Sequence, residues 1–274
     1  MGLRVSPSDF TDSFRLLQQE GELFKSCLCS GLSALRHADP GNKGAYYSAF
    51  FQLSIGMERM MKLVFILRHM AEHDLATPTS AELVRLGHDL STIFRALGLN
   101  TTDSQVPQSV SAHSQLLDFF TEFAKSTRYH NLDTLAKGRA TRDPLVEYNR
   151  VFLRIVSDDL DRRLLQHISS QAHALASAME DSVGVIGHGL DGHLITLPNA
   201  FMLGPLHDAG TPLVIWKIYE LLAPVRDALE LASDQAQATN HRVLSDKAAI
   251  PHMNEFQAFL WHDREGVLEQ TEWP

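Results

Sequence analysis

Two cysteines, Cys27 and Cys29, are all that the 274-residue sequence contains. Two residues apart on a helix they point to nearly opposite sides, so they cannot pair with each other. That usage suits a reducing, cytoplasmic protein. No uncharged stretch escapes Pro, Gly, His or Ser for long enough to span a membrane, and no charged-then-apolar leader opens the chain. A Walker loop, a dinucleotide-binding glycine fingerprint and a Ser, His and Asp arrangement are all missing, so the familiar NTPase, Rossmann and triad-hydrolase readings have no support. Neither an internal repeat nor a convincing parallel-strand pattern appears.

Positive charge is also scarce, with 24 Lys and Arg against 33 Asp and Glu. Its distribution is uneven. Residues 1–143 hold 15 basic and 15 acidic side chains, so the whole −9 falls in residues 144–274, with 9 basic and 18 acidic. One basic concentration stands out, "KSTRYHNLDTLAKGRATR" at 125–142, with five cations and one carboxylate. A local patch of this kind matters more for an anionic ligand than the total does.

What is plentiful is apolar residues at helical spacing. Phe10, Phe14, Leu17, Gly21, Phe24, Leu28, Gly31 and Leu35 alternate in fours and threes, the signature of one buried helix face. Phe50, Leu53, Met57, Met60, Val64 and Leu67 mark a second helix. A third is expected from Thr79 to Gly98: Thr79 and Glu82 have capping-box spacing, Leu83, Leu86, Leu90, Ile93 and Leu97 form its stripe, and Gly98 suits a left-handed end. Leu116, Leu117, Phe119, Phe120 and Phe123 mark a fourth, running into the basic segment. From Pro144 to about Met179 apolar residues recur every four positions, which makes the stripe wind around a straight helix; several packing partners or a break would each account for it. Residues 183–210 hold six glycines and two prolines and read as a loop. A helix is expected to start at Thr211-Pro212 and to kink or end at Pro224. Pro251, Met253, Phe256, Phe259, Leu260 and Trp261 suggest a short docked helix. The fold class is all-α: an antiparallel up-and-down bundle over 1–143, with an acidic helical extension, 144–274, packed on it.

Three places carry chemistry. In the basic segment, Lys125, Arg128, Lys137, Arg139 and Arg142 can gather phosphates, Tyr129 can stack on a base, and His130, Asn131 and Asp133 can orient or read a ligand. The structural alternative is a solvated helix end with a turn at Gly138. His188 and His193, with Asp191 between them and His207-Asp208 further on, suggest a metal-dependent enzyme, but no complete ligand set is identifiable, so neither metal nor cofactor is expected. His88 and Asp89 are adjacent on a helix and point about 100° apart, so they should part company, His88 toward solvent and Asp89 toward a neighbouring helix.

Three stretches, "GAYYSAFFQLSIGMERMMKLVFIL" (44–67), "LGHDLSTIFRAL" (86–97) and "STRYHNLDTL" (126–135), together resemble HEPN-domain proteins over residues 10–135. The resemblance implies a small up-and-down helical bundle, usually dimeric, in a family that spans metal-independent ribonuclease toxins and non-catalytic binders of nucleotides or proteins. The catalytic members carry an Arg followed, after four to six residues, by His. After Arg128 those places are Asp133, Thr134 and Leu135. Arg68 with His73 and Arg162 with His167 have the spacing, but two such pairs are what chance gives in this composition. The resemblance therefore implies a non-nuclease member: a homodimer binding a nucleotide or RNA phosphate at Lys125, Arg128, Tyr129, His130, Asn131, Asp133, Arg139 and Arg142. The alternative is a protein–protein interaction module of a defence or toxin–antitoxin system.

Overall fold

The computed structural model describes residues 9–100, 111–136, 138, 142–179, 184, 187–244 and 246–274. All regular structure among them is helical, and their only β pairings are the isolated bridges Phe10–Ala248 and His188–Leu194. None of these helices is long and apolar enough to cross a membrane.

The first helix, α1 (Asp12–Arg36), starts where the Thr11 side chain accepts from the Phe14 amide at 3.2 Å. It buries the stripe read from the sequence, from Leu17 to Leu35, while Phe10 lies ahead of it in the bridge to Ala248. Helix α2 (Lys43–Glu72) packs antiparallel on it, and two glycines set the approach. A Cβ on Gly31 would sit 2.7 Å from the Leu53 side chain, and one on Gly56 would sit 2.7 Å from that of Leu28. Each helix presents a residue without a side chain where the other presents leucine, so the backbones come closer than a Cβ allows.

The expected third helix is two. Helix α3 (Ser80–Leu86) has the Thr79/Glu82 capping box, with both reciprocal bonds made, and α4 (Leu90–Ala96) ends before Gly98 at φ 71°. Between them Gly87 takes φ 66°, and the Asp89 carboxylate accepts from the Thr92 amide at 2.9 Å as a new N-cap. A left-handed glycine and a capping aspartate two residues later outweigh a leucine stripe whose first half, Leu83 and Leu86, stays only half-buried. Helix α5 (Ala112–Lys125) buries Leu116, Leu117, Phe119, Phe120 and Phe123, then tightens into a 3-10 turn (Thr127–Tyr129) and the short α6 (His130–Leu135).

The stretch from Pro144 breaks at Leu160 and Asp161 into α7 (Pro144–Asp159) and α8 (Arg162–Met179). Of the expected loop at 183–210, the described residues 184 and 187–196 are non-helical, but Leu197 already begins α9 (Leu197–Val243), a single helix of 47 residues capped by Thr196 that neither starts at Thr211-Pro212 nor ends at Pro224 and carries Pro205, Pro212 and Pro224 inside it. Each proline removes one backbone hydrogen bond and crowds the preceding turn. The burial of Leu206, Leu213, Val214, Ile215 and Val225 around them offsets that cost through packing. The chain then forms α10 (Asn254–Gln257), a 3-10 turn (Ala258–Trp261) and α11 (Arg264–Glu269). Met253, Phe256, Phe259 and Leu260 dock as expected, but Trp261 faces out, its ring under the Arg226 guanidinium at 3.6 Å.

The core is continuous across residue 143. Phe50 and Phe119 meet edge to face at 4.8 Å, Phe50 lies 5.0 Å from Tyr148, and Phe152 stacks on His207 at 4.1 Å. Partly buried polar and charged contacts join the same helices at another level: Glu220 lies 3.0 Å from both His113 and Lys217, and Lys217 is 3.4 Å from Asp159. At the chain's end, the Trp273 indole donates to the Tyr219 hydroxyl at 2.6 Å, which donates to the Phe259 carbonyl at 3.1 Å.

Candidate functional site

The break between α3 and α4 places two ionisable residues, His88 and Asp89, over a gap between α2 and α5. His88 sits on the break itself, and its Nδ1 lies 2.9 Å from Oε1 of Glu58 on α2. That oxygen also accepts from Lys62, one turn further along α2, at 2.7 Å. Asp89 turns the other way. Its second carboxylate oxygen accepts from the Lys125 ammonium, at the end of α5, at 2.7 Å. Burial alone would raise the Asp89 carboxyl, yet the hydrogen bonds from Lys125 and the Thr92 amide hold it below the usual carboxylate range. His88 and Asp89 thus diverge, but at a break between two helices and not on one helix as expected, and His88 is exposed but paired.

Two clefts meet at Asp89. The first, about 400 Å³, lies between α2 and α5, with Phe51, Ile55 and Phe123 as apolar surface, the Glu58–His88 pair on one wall and Lys125 with Arg128 on the other. Arg128 has no ion pair with any described residue; its guanidinium carbon lies 5.2 Å from the centre of the Tyr129 ring. The second cleft, about 620 Å³, lies between α4, α5 and α7. Arg95, Arg142 and Arg150 line it, with Asp118, Glu122 and Glu147 among them. Glu147 takes Arg150 at 3.1 Å and Arg142 at 3.9 Å, both well exposed, where such pairs contribute little. Ser91, Thr121, Ser126 and Thr127 add hydroxyls.

The structure divides the residues read from the basic segment. Lys125 and Arg128 line the first cleft and Arg142 the second. Tyr129 and Asn131 are exposed, His130 and Asp133 are half-buried, and none of the four lines either cleft. The Asp133 carbonyl accepts from Gly138 at 2.7 Å. Arg139 and Lys137 lie outside the described residues. Glu58, Arg95 and Arg150 were not among the expected site residues. The steps from Glu58 to Lys62 and from Glu147 to Arg150 have the spacing of helical ion pairs.

The histidines suggested as metal ligands do not converge. His188 bridges to Leu194, His193 is exposed, and Asp191 caps the His193 amide at 3.0 Å. Among the described residues no group of three His, Cys, Asp or Glu is placed to hold a metal ion. His207 is a core residue. Its Nδ1 is 2.8 Å from the Tyr46 hydroxyl, and burial pushes its imidazole down to about 4, so it is neutral near pH 7. Arg68 donates to the Leu97 carbonyl, His73 lies against the His69 carbonyl, and Arg162 and His167 are exposed on α8. None of these four lines either cleft.

Comparison with protein-family models, with curated proteins and with solved structures finds no match for this chain.

Proposed function

We propose that the chain is a HEPN-like protein that binds a nucleotide or RNA phosphate in the cleft between α2 and α5, without turnover. The observation that carries this reading is Arg128, a guanidinium without an ion pair among the described residues, beside a cleft of about 400 Å³, within the usual range for small-molecule sites. Its fork offers a phosphate two parallel hydrogen bonds. Lys125 is the auxiliary: one of its three donors already serves Asp89, and the others remain for an anion. Phe51 and Ile55 supply apolar surface for a base. Binding without chemistry is supported by the absence of His at the places after Arg128 where the family's nucleases carry it, and by the two chance Arg–His pairs lying away from both clefts.

The test is equilibrium binding of a panel of nucleoside mono-, di- and triphosphates and a short single-stranded RNA, to wild type and Arg128→Ala, at about 50 and about 200 mM salt. A charge-assisted hydrogen bond contributes about 1.5–3 kcal/mol, so Arg128→Ala should weaken binding roughly 10- to 100-fold. Wild-type affinity should fall with salt. Equal, salt-insensitive binding by both proteins rules the reading out.

A further inference from the structure

The larger cleft, between α4, α5 and α7, holds charges of both signs that do not all neutralise one another. On α5, Asp118 and Glu122 lie four residues apart, a spacing at which like charges destabilise a helix. Among the described residues neither carboxylate has an ion pair. Asp118 accepts from the Ser91 hydroxyl at 3.2 Å, and Glu122 from the Ser126 hydroxyl at 3.3 Å. Lys125, the one lysine of α5, is bonded to Asp89 instead.

The α4 wall carries the opposite sign. Arg95 donates through Nε to the Ser91 carbonyl at 3.1 Å and through Nη2 to the Thr92 hydroxyl at 3.5 Å, both about one turn back on its own helix. One edge of the guanidinium is thereby held against α4. Its outer end keeps three of the five N–H donors and has no carboxylate among the described residues. Thr127 adds an observation of a different kind. It lines the cleft and is only 6% exposed, yet its hydroxyl has no hydrogen-bond partner among the described residues. A nearly buried hydroxyl in that state is costly unless water or a ligand supplies the partner.

We propose that this cleft binds a zwitterion, a free amino acid or dipeptide with an apolar side chain. Asp118 and Glu122 take its ammonium, the outer end of Arg95 takes its carboxylate, and Phe119 and Val151 offer surface to its side chain. A phosphate entering here would meet Asp118, Glu122 and Glu147, and a polyamine would meet Arg95, Arg142 and Arg150. A ligand with one charge of each sign complements both sets. The volume, about 620 Å³, lies within the range of small-molecule sites. This inference is independent of phosphate binding, because Arg128 does not line this cleft and Asp89 is the one residue that lines both.

The test is isothermal titration calorimetry of the full chain with L-leucine, leucylleucine, L-leucine methyl ester, which lacks the carboxylate, and N-acetyl-L-leucine, which lacks the ammonium. L-leucine or leucylleucine should bind wild type with a Kd below about 1 mM. The ester and the acetyl derivative should each bind at least tenfold more weakly than L-leucine. Arg95→Gln, and Asp118→Asn combined with Glu122→Gln, should each weaken the zwitterion at least tenfold. All three side chains are exposed, and a thermal melt confirms that each variant folds. Arg95→Gln should also bind L-leucine and its methyl ester alike, an outcome that a merely structural role for Arg95 does not produce. No binding of L-leucine or leucylleucine by about 10 mM overturns the proposal. So does an ester or acetyl derivative that binds wild type as tightly as L-leucine, or a pair of variants that bind like wild type.

Discussion

Replacing Glu220 by Gln should destabilise the fold near neutral pH and do so less and less in acid. Glu220 reaches from α9 to His113 on α5 and Lys217 on its own helix, both at 3.0 Å. Burial alone would raise its carboxyl, but the hydrogen bonds from His113 and Lys217 outweigh that and bring it from 4.5 to about 2. At 1.36 kcal/mol per pH unit the difference is about 3 kcal/mol, and because the side chain is 29% exposed, water competes and roughly 2 kcal/mol is the realistic figure. Gln keeps the shape and one acceptor for His113, so the loss is that of the charge. A carboxyl depressed in the fold stabilises it fully above its unfolded value of 4.5, and the benefit is lost as pH falls from there toward 2. Urea denaturation followed by circular dichroism should therefore show a gap between wild type and Glu220→Gln of roughly 2 kcal/mol at pH 7, narrowing below about pH 4.5, with about half gone by about pH 3. A gap that is constant with pH, or below about 0.5 kcal/mol at pH 7, refutes the argument that the Glu220 carboxylate, bonded to His113 and Lys217, stabilises the fold where α5 meets α9.

Gly31→Ala should reverse the usual sign of a glycine-to-alanine change in a helix. Propensity favours Ala by about 1 kcal/mol, but a Cβ there meets the Leu53 side chain at 2.7 Å and its backbone nitrogen at 2.9 Å, so α1 and α2 must part, at about 1–3 kcal/mol. Gly44→Ala in the first turn of α2, where a Cβ makes only an ordinary 3.5 Å contact with the Asn42 side chain, is the control and should stabilise; chemical denaturation of both variants decides it. Trp273→Phe and Tyr219→Phe should each destabilise, and because they remove the same 2.6 Å hydrogen bond, their double-mutant cycle should show a coupling of about 1 kcal/mol; simple additivity would count against it.

The helices legible in the sequence are those whose burial follows a single period. The fours and threes from Leu17 to Leu35 were enough to define α1, and the clustered apolar residues of α5 did the same. Local end signals also carried through, because the Thr79/Glu82 capping box and the left-handed Gly98 need only their neighbours. Where two local signals disagreed, the sequence could not rank them. The stripe from Leu83 to Leu97 argues for one helix and Gly87 with Asp89 for two; two form, with Leu83 and Leu86 left half-buried and His88 and Asp89 paired to α2 and α5. In α9 the prolines argued for ends, and only burial along both sides of them keeps the helix whole. That information sits in the neighbouring helices.

The same distinction governs the site. Counted along the chain, residues 125–142 hold five cations and one carboxylate, which reads as a strong anion trap. In space, among the described cations of the segment, Lys125 is bonded to Asp89 from 36 residues upstream, Arg142 leans toward Glu147 five residues downstream, and Arg128 alone has no carboxylate. The field an anion meets in the α2–α5 cleft is therefore closer to that of one guanidinium and a partly committed ammonium, facing the Glu58–His88 pair. Such a cleft would bind one phosphate group by geometry, through the fork of Arg128, rather than a polyanion by accumulated charge. This is why the decisive substitution is Arg128 and not the more numerous lysines and arginines around it.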